Sequence, residues 1–521
     1  MPRSKHILWV DDEIGHLSPH ISFLKDRGYD IATATNGDDA IKLIGEDRYD
    51  VILLDQMMVG RDGLSTLTAI QQIDPNLPVV MITKSSEEVL MDQAYRGNIN
   101  DFLIKPVSPS QILAALKGIL DRDELSRRHR AEEFTKFIRS AYSDLEENPN
   151  LDKLIGLYLE FARWNVSLEG LMDEGLQSLN DEILAQANHL FAETIVRSYP
   201  QWVSSSPANR PVLSNDVLRE YVLPDLLEHK VPTVLVVIDG MRYDQWLAIR
   251  PLFLKDWSID EKHFLACLPS STNYSRNALF SGMFPSEIAR QNVSKWSEAD
   301  KEMESLNRYE EYFFNQLIRE KANATAQYFK LANAGDEAAF RKRIPQITSR
   351  GGVTALVVNF IDTLTHERAR QDIIEVITPD DVAFRRLIRT YIQSSSVMEY
   401  VNLLHKEQSN VRLVITSDHG STPTNRAVVA YGDKYTTKSL RYWFGRDLRF
   451  DPPGAVLIKQ PRAWGLPEEY IGKSYLIALE DFHFAFSFHL HENRRRYGGI
   501  YQHGGISLAE MVLPLAILTP R

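Results

Sequence analysis

Val411-Arg-Leu-Val-Ile-Thr-Ser-Asp418-His419-Gly420 is the stretch that decides the fold of the longest part of this chain. It begins with an apolar, β-branched run that is typical of a buried strand. It ends in an acid, an imidazole and a glycine, at the edge where open α/β sheets bind their ligands. Asp418 and His419 offer one oxygen and one nitrogen, a pair that suits zinc. Taken alone, the stretch is equally typical of a surface turn after a strand.

Four other segments in the C-terminal part of the chain end a strand or begin a helix with a metal-binding side chain. Each of their histidines, considered singly, is more typical of an ordinary packed or surface residue. Their joint occurrence in one order is improbable by chance. In chain order the segments are Val231-Pro-Thr-Val-Leu-Val-Val-Ile-Asp239-Gly240, Ser271-Thr272-Asn273 at a helix start, Asp362-Thr-Leu-Thr-His366 after a strand, and His503-Gly504-Gly505 before a closing strand.

The order Asp-Gly, Thr at a helix start, Asp-x-x-x-His, Asp-His-Gly and His-Gly-Gly resembles that of the alkaline phosphatase superfamily. The Gly-Met-Arg that follows Asp239 and the ending His503-Gly-Gly-x-Ser-x-x-Glu-Met-x-x-Pro514 resemble its PglZ branch. The resemblance covers about the last three-fifths of the chain. It implies an α/β effector domain with a two-metal phosphoesterase site.

The resemblance also implies how the site residues divide. Mixed carboxylate and imidazole ligands suit zinc, and Mn²⁺ is the alternative. Metal coordination would activate the Thr272 hydroxyl as a nucleophile, and attack would give a covalent phospho-threonine. One metal would be held by Asp239, Thr272, Asp418 and His419, and the other by Asp362, His366 and His503.

The sequence defines the substrate less well than the metal ligands. Asn273 and Arg276 lie beside the nucleophile in sequence and are expected to hold phosphoryl oxygens. Arg494-Arg495-Arg496 is either a contact for a polyanionic substrate or a solvated loop, and the charge pattern does not favour one over the other. The charged, helix-rich residues 290–350 resemble an insertion that caps the site.

The first 120 residues alternate strand and helix patterns, and four short apolar strands there end in polar side chains. Because parallel strands joined by helices put these ends on one edge, we expect the polar groups to converge. Carboxylate oxygens of this kind suit Mg²⁺. The strands with their polar ends are His6-Ile-Leu-Trp-Val-Asp11-Asp12, Tyr49-Asp-Val-Ile-Leu-Leu-Asp55, Leu77-Pro-Val-Val-Met-Ile-Thr83 and Asp101-Phe102-Leu-Ile-Lys105-Pro106.

This pattern resembles the receiver domain of two-component response regulators. The resemblance implies that Asp55 accepts a phosphoryl group and that a sensor histidine kinase supplies it. The further roles follow from the same resemblance: Asp11, Asp12, Asp55 and the backbone carbonyl of Met57 would bind Mg²⁺, Thr83 and Lys105 would contact the phosphoryl oxygens, and Phe102 would be the aromatic switch residue. A receiver-like fold with an inactive pocket is the alternative.

Length and composition predict three domains, at residues 1–120, 121–207 and 208–521. We expect an α/β chain: a doubly wound, flavodoxin-like receiver sheet, an all-α connector, and an α/β effector with the helix-rich cap. Ser108-Pro109 predicts the start of a long helix that runs to about Asn148. A single cysteine, Cys267, fits a reducing cytoplasm. No apolar run predicts a signal peptide or a membrane span.

These observations predict a response regulator whose effector is a zinc-dependent phosphodiesterase for nucleotide-type substrates. Phosphorylation of Asp55 would control it and promote a homodimer. The three-part organisation resembles the response regulators associated with type IX secretion in Bacteroidetes, which implies contacts with a sigma factor and the secretion motor. The alternative is a phosphorylation-gated binding protein with a catalytically silent metal domain. The net charge of -11 and the lack of a helix-turn-helix pattern disfavour a DNA-binding regulator.

Overall fold

The computed structural model describes the chain from residue 5 to residue 521 with several gaps. The gaps are residues 75–76, 85–99, 170–173, 229, 301–306, 348–351, 369–376, 379, 408–409, 434–435 and 486–498, and residues 121–128, 297–300, 367–368 and 438 are described by their backbone. The chain forms two compact units, residues 1–134 and 135–521. Among the described residues, no helix has the length and apolar character needed to cross a membrane.

The first unit contains a five-stranded parallel sheet in the order β2-β1-β3-β4-β5. Strands β3 and β4 are buried along their whole length, as expected where helices cover both faces of a parallel sheet. The flavodoxin-like fold predicted for this part is confirmed. The elements are β1 Lys5–Val10, α1 Ser18–Lys25, β2 Tyr29–Ala34, α2 Gly37–Glu46, β3 Val51–Asp55, α3 Gly63–Ile73, β4 Val79–Thr83 and β5 Asp101–Ile104.

Strand alternation divides the core of the first unit into two layers. Leu8 and Val10 pack on one face of the sheet with residues of α2 and α3. Ile7 and Trp9 pack on the other face with residues of α1 and of a fourth helix, α4, at Pro109–Glu146. The side chain of Gln111 accepts a hydrogen bond from the Ser108 backbone N–H at 2.9 Å and thereby caps α4. The long helix predicted from Ser108 is confirmed.

The second unit begins with the last part of α4 and two further helices, α5 Leu151–Ser167 and α6 Glu174–Ser204. Hydrogen bonds join these helices, and the turn after α5, to the rest of the unit. The Tyr199 hydroxyl accepts from Leu268 N at 3.0 Å, and the Asn188 side chain accepts from Leu508 N at 2.8 Å. Glu169 accepts from Arg385 Nε at 2.7 Å. The all-α segment is therefore packed tightly on the α/β part, and the predicted boundaries at 120 and 207 stay predictions.

A six-stranded sheet in the order β7-β20-β10-β6-β9-β8 forms the centre of the second unit. Strands β10, β6, β9 and β8 are parallel, while β20 is antiparallel to both of its neighbours. This is the α/β effector fold that the sequence predicts. The sheet strands are β6 Thr233–Ile238, β7 Trp257–Leu265, β8 Ala326–Leu331, β9 Val353–Val358, β10 Arg412–Thr416 and β20 Val512–Pro520.

The helices of the second unit surround this sheet. They are α7 Leu223–Glu228, α8 Tyr243–Ile249, α9 Asn277–Ser281, α10 Pro285–Gln291, α11 Val293–Asp300, α12 Glu310–Ala322, α13 Ala334–Ile347, α14 Phe360–Arg368, α15 Asp381–Ser394, α16 Ser396–Glu407 and α17 Leu508–Met511. Residues 290–350, predicted as a cap, include the edge strand β8, which pairs with β9 along its whole length. That part of the region belongs to the central sheet and does not lie over the site as a cap.

Small sheets fill the interval between β10 and β20. They are ordered β11-β19, β15-β12-β18 and β13-β14-β17-β16. The strands are β11 Thr422–Thr424, β12 Arg426–Tyr431, β13 Thr437–Lys438, β14 Tyr442–Gly445, β15 Arg449–Phe450, β16 Ala455–Ile458, β17 Ser474–Ala478, β18 Phe482–Ala485 and β19 Ile500–Gln502. Their importance for the site is that β19 leads directly to His503.

Candidate functional site

The receiver strands bring their polar ends together as the sequence predicts. Oxygens of Asp11, Asp12 and Asp55 lie within 4.8 Å of one another. Lys105 Nζ donates to Asp11 Oδ2 at 2.9 Å and to Asp55 Oδ2 at 3.0 Å. Thr83, the last residue of β4, is buried. The parallel order of the strands therefore gathers three carboxylates, a hydroxyl and an ammonium at one edge.

The electrostatics of this edge fit a bound cation. Burial raises the pKa of Asp55, although the Lys105 ammonium opposes the rise. Burial lowers the pKa of Lys105, but its bonds to Asp11 and Asp55 outweigh burial and raise it. Within the described part of the chain, Asp55 Oδ1 is buried without a hydrogen-bond partner. An unpaired buried carboxylate oxygen beside two other acids is the donor set that Mg²⁺ binds.

Met57 and Phe102 are the remaining residues with a predicted role at this edge. Met57 follows Asp55 by two residues, and its side chain is exposed. Val59 N donates to Asp12 Oδ2 at 3.2 Å, which holds this loop against the acids. Phe102 is half-buried against the core layer that contains Leu8. The roles of both residues stay predictions.

The second unit assembles its predicted residues from five places in the chain. Asp239 follows β6, Asp418 and His419 follow β10, and His503 follows β19. Asp362 and His366 lie one turn apart on α14, and Thr272 begins a single helical turn before α9. Asp239, Asp418 and His419 are buried, while Thr272, Asp362, His366 and His503 are partly exposed. The carboxyl ends of the parallel strands β6, β9 and β10 thus carry the acids, His366 and His419, while Thr272 and His503 reach the site from a helical turn and from β19.

Around Thr272, three of the predicted ligand atoms lie close together. Thr272 Oγ1 is 2.8 Å from His419 Nε2 and 3.4 Å from Asp239 Oδ1. His419 Nε2 is 3.4 Å from Asp239 Oδ1 and 3.7 Å from Asp418 Oδ2. Ligand atoms of a tetrahedral zinc site with bonds of about 2.0 Å are about 3.3 Å apart. The spacing of this first cluster therefore fits a small tetrahedral ion.

The second cluster contains Asp362, His366 and His503. His366 Nε2 is 3.2 Å from His503 Nε2 and 3.4 Å from Asp362 Oδ1. His503 Nε2 is 3.6 Å from Asp362 Oδ1. The His503 ring also stacks on His419, with ring centroids 4.1 Å apart. The two clusters are therefore contiguous, and ligand atoms of Asp362, His419 and His503 also lie within 4.8 Å of one another.

The electrostatics of the two clusters favour a cation. Burial lowers the pKa of His419, but Asp418 and Asp239 outweigh it and raise the value to about 10. Burial and the charge of Asp239 raise the pKa of Asp418 to about 7. Burial and the two neighbouring imidazoles lower the pKa of His503 well below its usual range, so its ring is neutral. Among the described residues, Asp418 Oδ2 has no hydrogen-bond partner. The donors fit zinc in both position and chemistry.

Arg276 is placed differently from its predicted role as a contact for substrate. Its guanidinium is 1% exposed. Nη1 donates to Asp239 Oδ2 at 2.5 Å, and Nε donates to Glu310 Oε2 at 2.8 Å. Because its donors point at buried carboxylates, Arg276 holds the site and does not face a ligand. Asn273 remains partly exposed beside Thr272, and its predicted substrate contact stays a prediction. The predicted Arg494-Arg495-Arg496 contact lies outside the described residues.

A buried ion pair that the sequence analysis missed holds the turn after His503. Glu510 accepts from Arg441 Nε at 3.0 Å, from Arg441 Nη2 at 2.6 Å and from Gly505 N at 2.9 Å. Gly505 O in turn accepts from Ser270 Oγ at 2.6 Å, two residues before Thr272. The only sequence signal was the Ser507-x-x-Glu510 spacing of a helix start. This pair links the loop before Thr272 to the His503 turn.

The glycines of the two His-Gly motifs are explained by close packing. A Cβ on Gly420 would lie 1.9 Å from Ala509 O, and one on Gly505 would lie 2.2 Å from Arg441 Nη2. Gly420 N also donates to Glu510 O at 2.9 Å. A side chain at either position would clash with these neighbours, so glycine lets the turn after His419 pack on α17 and the turn after His503 pack on Arg441.

Two family models match this chain. Residues 7–117 match the response regulator receiver domain, and residues 217–518 match the BREX system PglZ alkaline phosphatase-like domain. The second match covers more than half of the chain and includes every residue of the two clusters around Thr272 and His503. The chain is therefore organised as a two-component response regulator with a receiver domain and a PglZ alkaline phosphatase-like domain.

Curated relatives and solved structures resemble a fifth to a quarter of the chain. The transcriptional regulatory protein ResD of Bacillus subtilis is 36% identical over 116 residues, 22% of this chain and 48% of ResD. The alkaline phosphatase synthesis transcriptional regulatory protein PhoP of the same organism is 32% identical over 123 residues, 24% of this chain and 51% of PhoP. The chain thus spans about half the length of these relatives. Chemotaxis protein CheY4 of Vibrio cholerae aligns with 25% identity and a TM-score of 0.22, over 22% of this chain and 99% of that one.

Proposed function

This chain belongs to the PglZ alkaline phosphatase-like family, and we propose that it is a metal-dependent phosphodiesterase controlled by its receiver domain. The observation that carries the proposal is the position of Thr272 Oγ1, 2.8 Å from His419 Nε2 and 3.4 Å from Asp239 Oδ1. A hydroxyl at the start of a helical turn, beside two clusters of metal ligands, has the surroundings of an activated nucleophile.

We propose that two zinc ions occupy the two clusters, with Mn²⁺ as the alternative ion. When bound, they supply positive charge to the attacking and leaving oxygens of a phosphoryl group. Asp239, Thr272, Asp418 and His419 hold the first ion, and Asp362, His366 and His503 hold the second.

Thr272 performs the covalent step in this proposal. Its Oγ1 forms a bond to phosphorus as the bond to the alcohol leaving group breaks, and the alcohol departs with a proton. Water then hydrolyses the phospho-threonine and restores the hydroxyl. Asp362, His366 and His503 lie beside this step, since the His503 ring stacks on His419, which contacts Thr272.

We propose a nucleotide-type phosphodiester as the substrate class. Asn273, which is partly exposed beside the nucleophile, contacts a free phosphoryl oxygen. The buried Arg276 leaves the site with fewer cations facing the substrate than the sequence suggests. A diester carries one negative charge on the phosphate, whereas a monoester carries two near neutral pH, so this placement favours the diester.

Control is proposed to begin at Asp55. A sensor histidine kinase would phosphorylate Asp55 with Mg²⁺ bound by Asp11, Asp12, Asp55 and the Met57 carbonyl, and phosphorylation would favour a homodimer. The order of receiver, helical connector and PglZ domain resembles PorX, the response regulator associated with type IX secretion in Bacteroidetes. We therefore propose a cytoplasmic protein of that pathway, with a sigma factor and the secretion motor as further partners.

Zinc-loaded full-length protein tests the activity directly. We expect about two transition-metal ions per chain and faster hydrolysis of bis-nitrophenyl phosphate than of the monoester. The preference for the diester is measured as the ratio of the kcat/KM values for the two esters. If the protein carries both ions and hydrolyses neither ester, the proposed phosphodiesterase activity is contradicted. That result would favour the phosphorylation-gated binding protein, whose metal domain is structural.

A further inference from the structure

The two oxygens of the Asp239 carboxylate have different surroundings. Oδ2 accepts a hydrogen bond from Arg276 Nη1 at 2.5 Å. Oδ1 faces Thr272 Oγ1 and His419 Nε2, each 3.4 Å away. One oxygen is therefore held by a fixed cation, and the other is directed at the first cluster.

The Arg276 guanidinium is fixed in position because it donates to a second carboxylate as well as to Asp239. Glu310, at the start of α12, is 2% exposed and accepts from Arg276 Nε at 2.8 Å. The same carboxylate accepts from Asn307 Nδ2 and from Lys330 Nζ, each at 3.1 Å. A buried carboxylate with several donors is a rigid anchor, and it keeps the guanidinium in one orientation.

The two carboxylate oxygens of Asp418 also have different surroundings, but here a backbone N–H takes the place of the arginine. Its Oδ1 accepts from the Gly240 backbone N–H at 3.3 Å. Its Oδ2 lies 3.7 Å from His419 Nε2 and has no hydrogen-bond partner in the described part of the chain. Arg276 Nη1 also lies 3.7 Å from Asp418 Oδ2, an ion pair without a hydrogen bond. In both carboxylates of the first cluster, one oxygen accepts a hydrogen bond from Arg276 or the backbone, and the other is directed at the cluster.

We propose that Glu310 and Arg276 are positioning residues that limit Asp239 to one metal-binding oxygen and so make the first metal position four-coordinate and selective for zinc. The proposal rests on the metal position described under the proposed function. Asp239 Oδ1, Thr272 Oγ1, Asp418 Oδ2 and His419 Nε2 then make up a complete tetrahedral set. Mn²⁺ prefers six oxygen-rich ligands, and a carboxylate bound through both oxygens would help to supply them.

Glu310 has a second effect on the same position, through charge. The Arg276 guanidinium lies next to the first cluster, where it repels a divalent cation. The buried Glu310 charge compensates that repulsion, so Asp239 and Asp418 keep their full attraction for the metal. The second cluster differs, since the described ion pairs of Asp362 are with His366 and His503.

The test measures metal affinity of the full-length chain and does not depend on turnover. Zinc and manganese are titrated calorimetrically, with a competing chelator, in a His366→Ala background that weakens the second position. Glu310→Gln keeps the shape and removes the compensating charge. The pair Glu310→Gln with Arg276→Met removes both charges together and frees Asp239 Oδ2. Glu480→Gln, another buried carboxylate that pairs with an arginine, is the matched control.

We expect Glu310→Gln to lower the zinc affinity of the first position about tenfold, the range typical of residues that support metal ligands. The double substitution should lower the ratio of zinc to manganese affinity by about tenfold, while Glu480→Gln leaves both unchanged. The inference would be overturned if the folded variants kept the wild-type zinc affinity and the wild-type ratio of zinc to manganese affinity. It would also be overturned if both variants unfolded, since Glu310 and Arg276 would then have a purely structural role. Normal zinc binding without ester hydrolysis would contradict the proposed activity and leave this inference standing.

Discussion

The receiver site and the effector site occupy equivalent places in two different sheets. In both, acids follow the carboxyl ends of parallel strands, as Asp55 does after β3 and Asp239 does after β6. The receiver site adds an ammonium, Lys105, and a hydroxyl, Thr83, to its carboxylates. The effector adds imidazoles and a hydroxyl. Sheet topology therefore decides where a site forms, and the residue types at the strand ends decide which metal and which reaction it suits.

The two sites also differ in how they are held in place. Lys105, the cation of the receiver site, contacts the acids directly and is 18% exposed. The effector site relies on the Arg441–Glu510 pair, whose side chains are fully buried and stand behind the His503 turn. A site whose own cation fixes it can rearrange when a phosphoryl group arrives. A site fixed from behind keeps its geometry, as the proposed hydrolysis at Thr272 would require.

The sharpest test of this comparison is Thr272→Val, which keeps the side-chain volume and removes the effector nucleophile. We expect hydrolysis of bis-nitrophenyl phosphate to fall by about 10⁴-fold, because Thr272 supplies the one hydroxyl that the described residues place in the clusters. Phosphorylation of Asp55 should be unaffected. Steady-state kinetics, with metal content assayed alongside, measure the loss, and Thr390→Val on the exposed face of α15 is the control. Near-normal turnover in metal-loaded Thr272→Val would show that water attacks directly.

Arg441→Met should produce the next largest effect, a loss of about 3–5 kcal/mol in the free energy of unfolding, because it leaves the Glu510 charge buried and unpaired. Urea unfolding followed by circular dichroism measures it. Arg426→Met, whose guanidinium is 48% exposed, should cost about 1 kcal/mol or less. Lys105→Met in the receiver should also cost less than Arg441→Met, since removing that side chain opens the acids to water and Mg²⁺. Equal losses of unfolding free energy for Arg441→Met and Arg426→Met would contradict the conclusion that the buried Arg441–Glu510 pair fixes the effector site.

Beryllofluoride with Mg²⁺ should promote a dimer of wild-type protein and not of Asp55→Ala. A bias of about 1.4 kcal/mol is enough to shift the monomer–dimer equilibrium tenfold. Light scattering measures the mass. A wild-type mass that stays monomeric at tens of micromolar, roughly where weak dimers become visible, would favour release of the effector from an internal contact. The face we expect to pair, around residues 92–96, lies outside the described residues.

The smallest expected effect is that of Tyr199→Phe. Leu268 N would lose its hydrogen-bond acceptor, at a cost of about 1 kcal/mol in the free energy of unfolding. Because Leu268 lies four residues before Thr272, turnover should fall by a small factor while zinc content stays the same. Tyr142→Phe, an exposed residue of α4, is the control. A change in zinc content would mean that the helical segment reaches the metal ligands themselves.

The sequence predicted the parts of both sites that strand ends specify. Apolar runs followed by Asp55, Asp239 and Asp418 predict strands and their polar ends without any knowledge of long-range contacts. In a parallel sheet those ends lie together whatever the loops between them do. The same reasoning gave the start of α4 at Ser108, because its capping residues are local.

Residues that act through distant partners could not be predicted in this way. Arg276 follows Thr272 by four residues, and nothing local shows whether its guanidinium faces solvent in the site or the buried Asp239. Glu310 belongs to a charged stretch in which several acids look alike, and only the fold buries it against Arg276. The edge strand β8 was hidden for the same reason, since its partner β9 lies beyond a full helix. The positions of these residues depend on contacts between distant parts of the chain, which local sequence patterns do not reveal.

The contacts of α5 and α6 have a consequence for how this protein could be taken apart and recombined. Tyr199, Asn188 and Glu169 each supply a polar partner to the α/β part, and losing them together would leave Leu268 N, Leu508 N and Arg385 short of acceptors. A piece cut near residue 208 would lose these bonds, whereas one cut near residue 135 would keep them. Gene fusions that exchange the input domain should therefore succeed when the junction falls within α4, and fail when the exchange replaces α5 and α6 as well.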